Sequence, residues 1–219
     1  VNASHAHVHA DLIFGLPGET MASFAAGFDR LYALRPHEIQ LGILKRLRGT
    51  PIARHTNEFA MVYDDQPPYT VRQTCDISAA DLQRFARLAR YWELVANSGR
   101  FTQTLRLLLT HGPSPFHAFL DFSDWLWTSA GVTHRLTPEA LVDGLFDYLH
   151  HQRALPASEV QSALRADYVA SGARANPGAL QGLLPRFEER KPAGTKSLGQ
   201  RQARHLQAQP AAHQEAPGP

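Results

Sequence analysis

Apolar and polar residues alternate near the start of the chain. Val8, Ala10, Leu12 and Phe14 fall on one face of an extended segment, and His9, Asp11 and Ile13 on the other. Both faces carry apolar groups, which suits a strand of a parallel sheet covered on both sides. Gly15-Leu16-Pro17-Gly18 breaks the run. Thr20 is placed to cap a helix over Thr20–Leu34, with Glu19 at its positive end and Pro36 stopping it. Phe24, Phe28, Leu31 and Tyr32 recur there at helical spacing. A second alternating stretch, His37–Lys45, sets Ile39, Leu41 and Ile43 against Gln40, Gly42 and Leu44. In βα order it is predicted to lie parallel to the first strand. Phe59–Thr74 holds two short alternating runs around Asp64-Asp65-Gln66-Pro67-Pro68, a hairpin or lid.

From Ser78 the period becomes helical. Ser78 and Asp81 have capping-box spacing, with Asp in place of the usual Glu or Gln. Leu82, Phe85, Ala89, Trp92 and Ala96 form a stripe, widened by Leu88, Tyr91 and Val95 and stopped at Asn97-Ser98-Gly99. Further helices are predicted over Phe101–Thr110, from Ser114-Pro115 to Gly131, from Thr137-Pro138 to His151, and over Ser158–Ala170. None buries its apolar face alone, so they must form a bundle or dock on the α/β part. The aromatic cluster from Phe116 to Trp127 is core by its spacing. Asp121, Asp124, Asp143 and Asp147 are expected on solvated helix faces. His150-His151 near a helix C-terminus suits the dipole and needs no metal. Beyond Lys191 periodicity disappears into Ala, Gln, Pro and Gly, a composition that predicts disorder.

The turn carries a resemblance. Asp11–Thr20, DLIFGLPGET, is similar to the D-[LI]-[IM]-x-G-[LF]-P-G-[EQ]-T segment of radical S-adenosylmethionine (radical SAM) enzymes. The wider run to Phe101 resembles cobalamin (B12)-binding-domain radical SAM proteins that end in a DUF4080-type helical extension. RYWELVANSGRF and FSDWLW carry the extension match. The fold class implied is α/β, a partial radical SAM (β/α) barrel. Its closing βα units and rim occupy residues 1–75. An all-α extension follows over 76–190, then a disordered basic tail over 191–219. The resemblance implies that Asp11 holds the ribose hydroxyls of S-adenosylmethionine and that Ile13 packs on its adenosine part. Gly42 and Leu44 would flank the adenine, and Lys45, Arg46 and Arg48 would hang near the mouth, where a substrate carboxylate or phosphate would meet them. From the residues alone, Asp11 equally suits capping a loop or pairing with a barrel arginine, Gly42 and Leu44 suit sheet packing, and the basic run suits a solvated loop.

Composition changes this picture in three ways. Radical SAM chemistry needs three thiolates, usually C-x3-C-x2-C, to hold a [4Fe–4S] cluster. The 219 residues contain one cysteine, Cys75, which reads as a small loop or buried thiol. The chain, opening on Val1, therefore reads as the C-terminal part of such an enzyme and inactive alone. Its expected partners are the missing N-terminal half of the barrel and a B12-binding domain, with cobalamin as a further possible cofactor. A single cysteine also fits a reducing cytoplasm, and neither a signal peptide nor an apolar run of about 18 residues is visible. The net charge of +2 is uneven. Lys191, Lys196, Arg201 and Arg204 against Glu215 give the tail +3, which leaves the body at −1. A near-neutral body argues against nucleic-acid binding.

Two other classes remain open at this stage. His5, His7 and His9 alternate and would share a strand face with Asp11, as in a barrel metal-dependent hydrolase. They precede the apolar segment, however, and barrel active sites form at the C-terminal ends of strands. The helical part would alternatively be a non-catalytic interaction module, with Trp125 and Trp127 meeting a partner.

Overall fold

A computed structural model describes residues 7–185. His5 and the segment expected to be disordered, 191–219, lie outside them. The described chain is mixed α/β. Strand β1 (His9–Phe14) leads through helix α1 (Met21–Ala33) to strand β2 (Glu38–Ile43). A small hairpin follows, β3 (Val62–Tyr63) and β4 (Val71–Gln73). Five helices complete it: α2 (Ala79–Val95), α3 (Thr102–Thr110), α4 (Pro115–Ala130), α5 (Pro138–Asp147) and α6 (Ala157–Ala170).

β1 and β2 are parallel, with Asp11 opposite Gln40 and Ile13 opposite Gly42. Among the described residues they form a two-stranded sheet and no barrel. The expectation of a sheet covered on both sides also fails. His9, Asp11 and Ile13 are exposed, while Phe14 and Ile39 are buried. Covering requires a second layer, and α1 and α2 supply only one. Phe24 and Phe28 of α1 meet Phe14, Phe85 and Trp92 edge-on, at ring separations of 4.9–5.1 Å. Such aromatic geometry adds about 0.5–1.5 kcal/mol per pair beyond burial.

The edge of β2 away from β1 is engaged by side chains at Ile39. Leu44 N–H continues the ladder to the Phe14 carbonyl at 2.9 Å, so by strand alternation Ile39 faces away from β1. Its carbonyl accepts Trp92 Nε1–H at 2.8 Å and Asn97 Nδ2–H at 2.9 Å. Just beyond β2, Lys45 forms an antiparallel bridge with Thr70 of the hairpin.

The turn after β1 departs from the expectation for Glu19. Instead of lying in the first turn of α1, its carboxylate reaches back to the N–H groups of Gly15, at 2.8 Å, and Leu16, at 3.3 Å. Burial pushes the Glu19 carboxyl up, against the pull of those two donors. Gly15 has φ +96°, and a Cβ there would lie 2.7 Å from Val71 Cγ1, so only glycine fits. Thr20 caps α1 as expected, in a reciprocal pair with Ser23.

The helical half follows its caps. Ser78, Ser114 and Thr137 accept N–H bonds from Asp81, His117 and Ala140. The Asp81 carboxylate takes the Ser78 hydroxyl rather than its backbone. α5 ends sooner than expected, in a π-helical turn over Tyr148–Gln152. Helix α3 has no capping side chain of its own. Asp167 of α6 reaches its first turn from 63 to 65 residues away. It accepts Gln103 N–H (3.0 Å), Thr104 N–H (2.8 Å) and the hydroxyls of Thr102 (3.1 Å) and Thr104 (2.8 Å). Asp29 of α1 likewise accepts Phe116 N–H of α4, and Asp143 accepts Ala179 N–H, both at 2.8 Å. One contiguous core runs from Phe14 through Phe85, Phe116, Phe119 and Phe122 to Leu180.

Candidate functional site

The uncovered face of the sheet gathers most of the expected site. β1 contributes His9, Asp11 and Ile13, and the register places Glu38, Gln40 and Gly42 beside them. The Asp11 side chain is 66% exposed and Ile13 is 47% exposed. A Cβ at Gly42 would meet only the Leu12 carbonyl, at 3.8 Å, so the space above it is open. A carboxylate, an apolar wall and a vacant strip thus share one surface. Leu44 does not join them. It is buried in the core under the hairpin, close to Gly15.

Among the described residues Asp11 finds neither a loop to cap nor an arginine. Its partner is His9, two residues earlier on the same face. His9 Nε2 lies 3.3 Å from Asp11 Oδ1, and its Nδ1 lies 3.1 Å from Oε2 of the buried Glu38. An imidazolium there donates to both carboxylates, whereas a neutral ring donates to one. Gln40 sits beside Asp11 across the register and is exposed. Its parity in the alternation was the available signal, but register is what sets it next to the carboxylate.

Lys45, Arg46 and Arg48 are exposed beyond the end of β2. Arg46 stacks over the Tyr63 ring at 4.9 Å, and its N–H donates to the Tyr69 carbonyl. The loop after them forms a 3-10 turn over Pro51–His55.

The histidine alternation does not converge. β1 begins at His9, and the His7 ring stacks on His37 with centroids 4.8 Å apart. Among the described residues no group of three or more His, Cys, Asp or Glu side chains is arranged to hold a metal ion. Cys75 is exposed, and its thiol donates to Asp76 at 3.1 Å. That hydrogen bond and the nearby negative charge push the thiol up, away from the thiolate that ligation needs.

Asp121 and Asp147 are exposed, as expected, whereas Asp124 and Asp143 are bound within the fold. Asp124 accepts Arg84 Nε at 2.8 Å, and Asp143 holds Ala179. Phe116, Phe119 and Phe122 are core residues. Trp125 stacks on Phe122 and lies against Tyr148, while Trp127 is more exposed, with the Arg87 guanidinium 5.0 Å above it. No described helix is long and apolar enough to cross a membrane.

No curated protein and no solved structure matches the chain. The family model described as "Protein of unknown function (DUF4080)" matches residues 57–212, from just ahead of the hairpin through the helical half and beyond. The chain therefore belongs to the DUF4080 family.

Proposed function

We propose that this chain supplies the closing βα units of a radical SAM barrel together with its DUF4080 extension, and that the open face of β1 and β2 binds the nucleoside part of S-adenosylmethionine. One observation carries the proposal: Asp11, Ile13 and Gly42 stand together, uncovered, on a parallel sheet whose far edge is engaged at Ile39 by Trp92 and Asn97. Parallel sheets are ordinarily covered on both faces, so further strands would add at the β1 edge and the closed barrel would enclose the bare face. The residues fit a nucleoside. Asp11 accepts two hydroxyls, Ile13 offers an apolar wall, and Gly42 leaves room for a ring.

They do not fit the cluster. With Cys75 as the sole cysteine, this chain supplies no thiolate triplet. The [4Fe–4S] cluster, and any cobalamin, belong on this proposal to preceding parts of the same protein, and no step is assigned to them here.

The test uses the natural translation product that contains this chain, purified without oxygen. It is expected to hold iron and sulfide, and to release 5′-deoxyadenosine from S-adenosylmethionine under dithionite. Asp11→Asn should weaken S-adenosylmethionine binding about tenfold, equivalent to ~1.4 kcal/mol. A product free of iron and sulfide, or unchanged binding in Asp11→Asn, refutes the proposal.

A further inference from the structure

A second recess lies in the helical half. It is a cleft of about 260 Å³ between the C-terminal half of α2, the loop Ser98–Arg100 and the start of α5. Its floor is apolar, made by Leu94, Leu136, Pro138 and Leu141, and its charged groups are Arg90, Glu93 and Arg100. Asn97 ties this end of α2 to Ile39, near the start of β2, whereas the turn after β1 lies beyond the strands' opposite ends. No residue of β1 or β2 lines the cleft.

The arginines are what distinguish this cleft. Elsewhere a guanidinium is either engaged, as Arg84 is with Asp124, Arg72 with Asp64, Arg87 over Trp127 and Arg153 over Tyr148, or exposed to water, as at Arg30, Arg35, Arg48, Arg106 and Arg165. Arg100 is half-buried against the apolar floor, yet its guanidinium makes no hydrogen bond or ion pair among the described residues. A cation partly withdrawn from water is costly without a counter-charge. Arg90 spends only Nε, on the Thr133 carbonyl at 3.2 Å, so its two terminal nitrogens remain available. Glu93 already receives Asn97 Nδ2 at 3.0 Å.

The backbone presenting Arg100 is held in place. Ser98 Oγ donates to the Val95 carbonyl and accepts Arg100 N–H, and the next residue, Phe101, is buried. The N-terminus of α5 borders the cleft but adds little. Pro138 has no N–H, and Thr137 takes that of Ala140. The attraction for an anion therefore comes from the two guanidinium groups, which match a carboxylate or phosphate in two-pronged fashion.

We infer that this cleft binds a small organic anion, a carboxylate or phosphate monoester carrying an apolar body, with Arg100 and Arg90 on the anionic head and Leu94, Leu136 and Leu141 on the body. The volume lies just below the usual range of roughly 300–1,000 Å³ for ligand pockets, which limits the ligand to a compact one.

The test is a titration of the ¹⁵N-labelled chain with phenyl phosphate and with phenylacetate, followed by amide shifts. Inorganic phosphate and acetate serve as head-group controls. Saturable shifts are expected at amides of residues 90–100 and 136–141, at concentrations about tenfold lower for phenyl phosphate than for inorganic phosphate. Arg100→Ala should weaken phenyl phosphate binding at least tenfold, and Arg100→Lys less, because the two-pronged contact becomes a point charge. Arg30→Ala, at an exposed position of α1 that does not line the cleft, should leave it unchanged. If Arg100→Ala does not fold, Arg100→Lys and Arg90→Ala decide by the same criterion. No saturable shift with either aromatic anion, binding indifferent to the arginine substitutions, or shifts confined to other parts of the chain would overturn the inference.

Discussion

Asp167 gives the sharpest test of how the helical half is held. Its carboxylate takes the place of an N-cap for α3, accepting two backbone N–H groups and two hydroxyls while buried. Asp167→Ala removes the cap, a loss of about 1 kcal/mol for an ordinary N-cap. It also strands the buried Thr104 N–H, a further ~1–3 kcal/mol. Against this runs the relief of no longer burying a charge, which is real: burial outweighs the four donors and holds the Asp167 carboxyl above its usual range. Because the donors are lost together, the contributions do not simply add, and a net destabilisation of about 3 kcal/mol is expected. For a chain this size that corresponds to a fall of roughly 6–12 °C in Tm. Asp167→Asn keeps the shape but points an NH₂ group at one set of donors, so about 2 kcal/mol is expected. Urea unfolding at fixed pH measures both, with an unchanged denaturant slope showing that the native state survives. Amide exchange at Gln103 and Thr104 should accelerate first. The pH sign is also fixed. A carboxyl bound more tightly by protons in the folded state makes stability fall as pH rises from the unfolded carboxyl range through the raised value, and Asp167→Asn should flatten that limb. If Asp167→Ala stays within ~0.5 kcal/mol of the parent, the cap is not a stabilising contact.

Three further outcomes are expected. Gly15→Ala should cost about 2 kcal/mol or more in urea unfolding, from the left-handed φ and the contact with Val71, whereas Gly42→Ala should stay within ~0.5 kcal/mol because nothing crowds it. Equal effects at the two glycines would contradict the geometry. Trp92→Phe and Asn97→Ala each leave the Ile39 carbonyl one donor, so each should cost about 1 kcal/mol, while the double variant strands a buried carbonyl and should exceed the sum. Simple additivity in the double-mutant cycle would count against a shared acceptor. Cys75 should alkylate with iodoacetamide more slowly than a free model thiol near neutral pH, and Asp76→Asn should speed it. Indifference to Asp76→Asn would remove the hydrogen bond as the cause.

What was legible beforehand was local. Thr20, Ser78, Ser114 and Thr137 each cap the helix they precede, because a cap oxygen and the N–H that donates to it are three residues apart. The alternation in Val8–Phe14 and His37–Lys45 foretold two parallel strands, and the face shared by Asp11, Ile13 and Gly42 follows from parity and register. What escaped was long-range. Asp29 and Phe116 are 87 residues apart, and Trp92 and Ile39 are 53 apart, so no local pattern pairs them. Leu44 shared the right parity, but the hairpin folds over it. Glu19 was adjacent to both of its possible roles, and the close approach of Val71 to Gly15 decided for the turn.

The contacts of Trp92 and Asn97 with Ile39, and of Phe24 and Phe28 with Phe85 and Trp92, set a limit on where the chain can be cut. The matched family segment begins at residue 57, yet six buried residues of the same core, Phe14, Phe24, Ala25, Phe28, Ile39 and Leu44, lie before that point. Excised there, it would bare several aromatic rings and a polar pair with nothing to bind. The βα portion and the helices of this chain share one core, so a segment cut at residue 57 would need substitutes for Phe14, Phe24, Phe28 and Ile39.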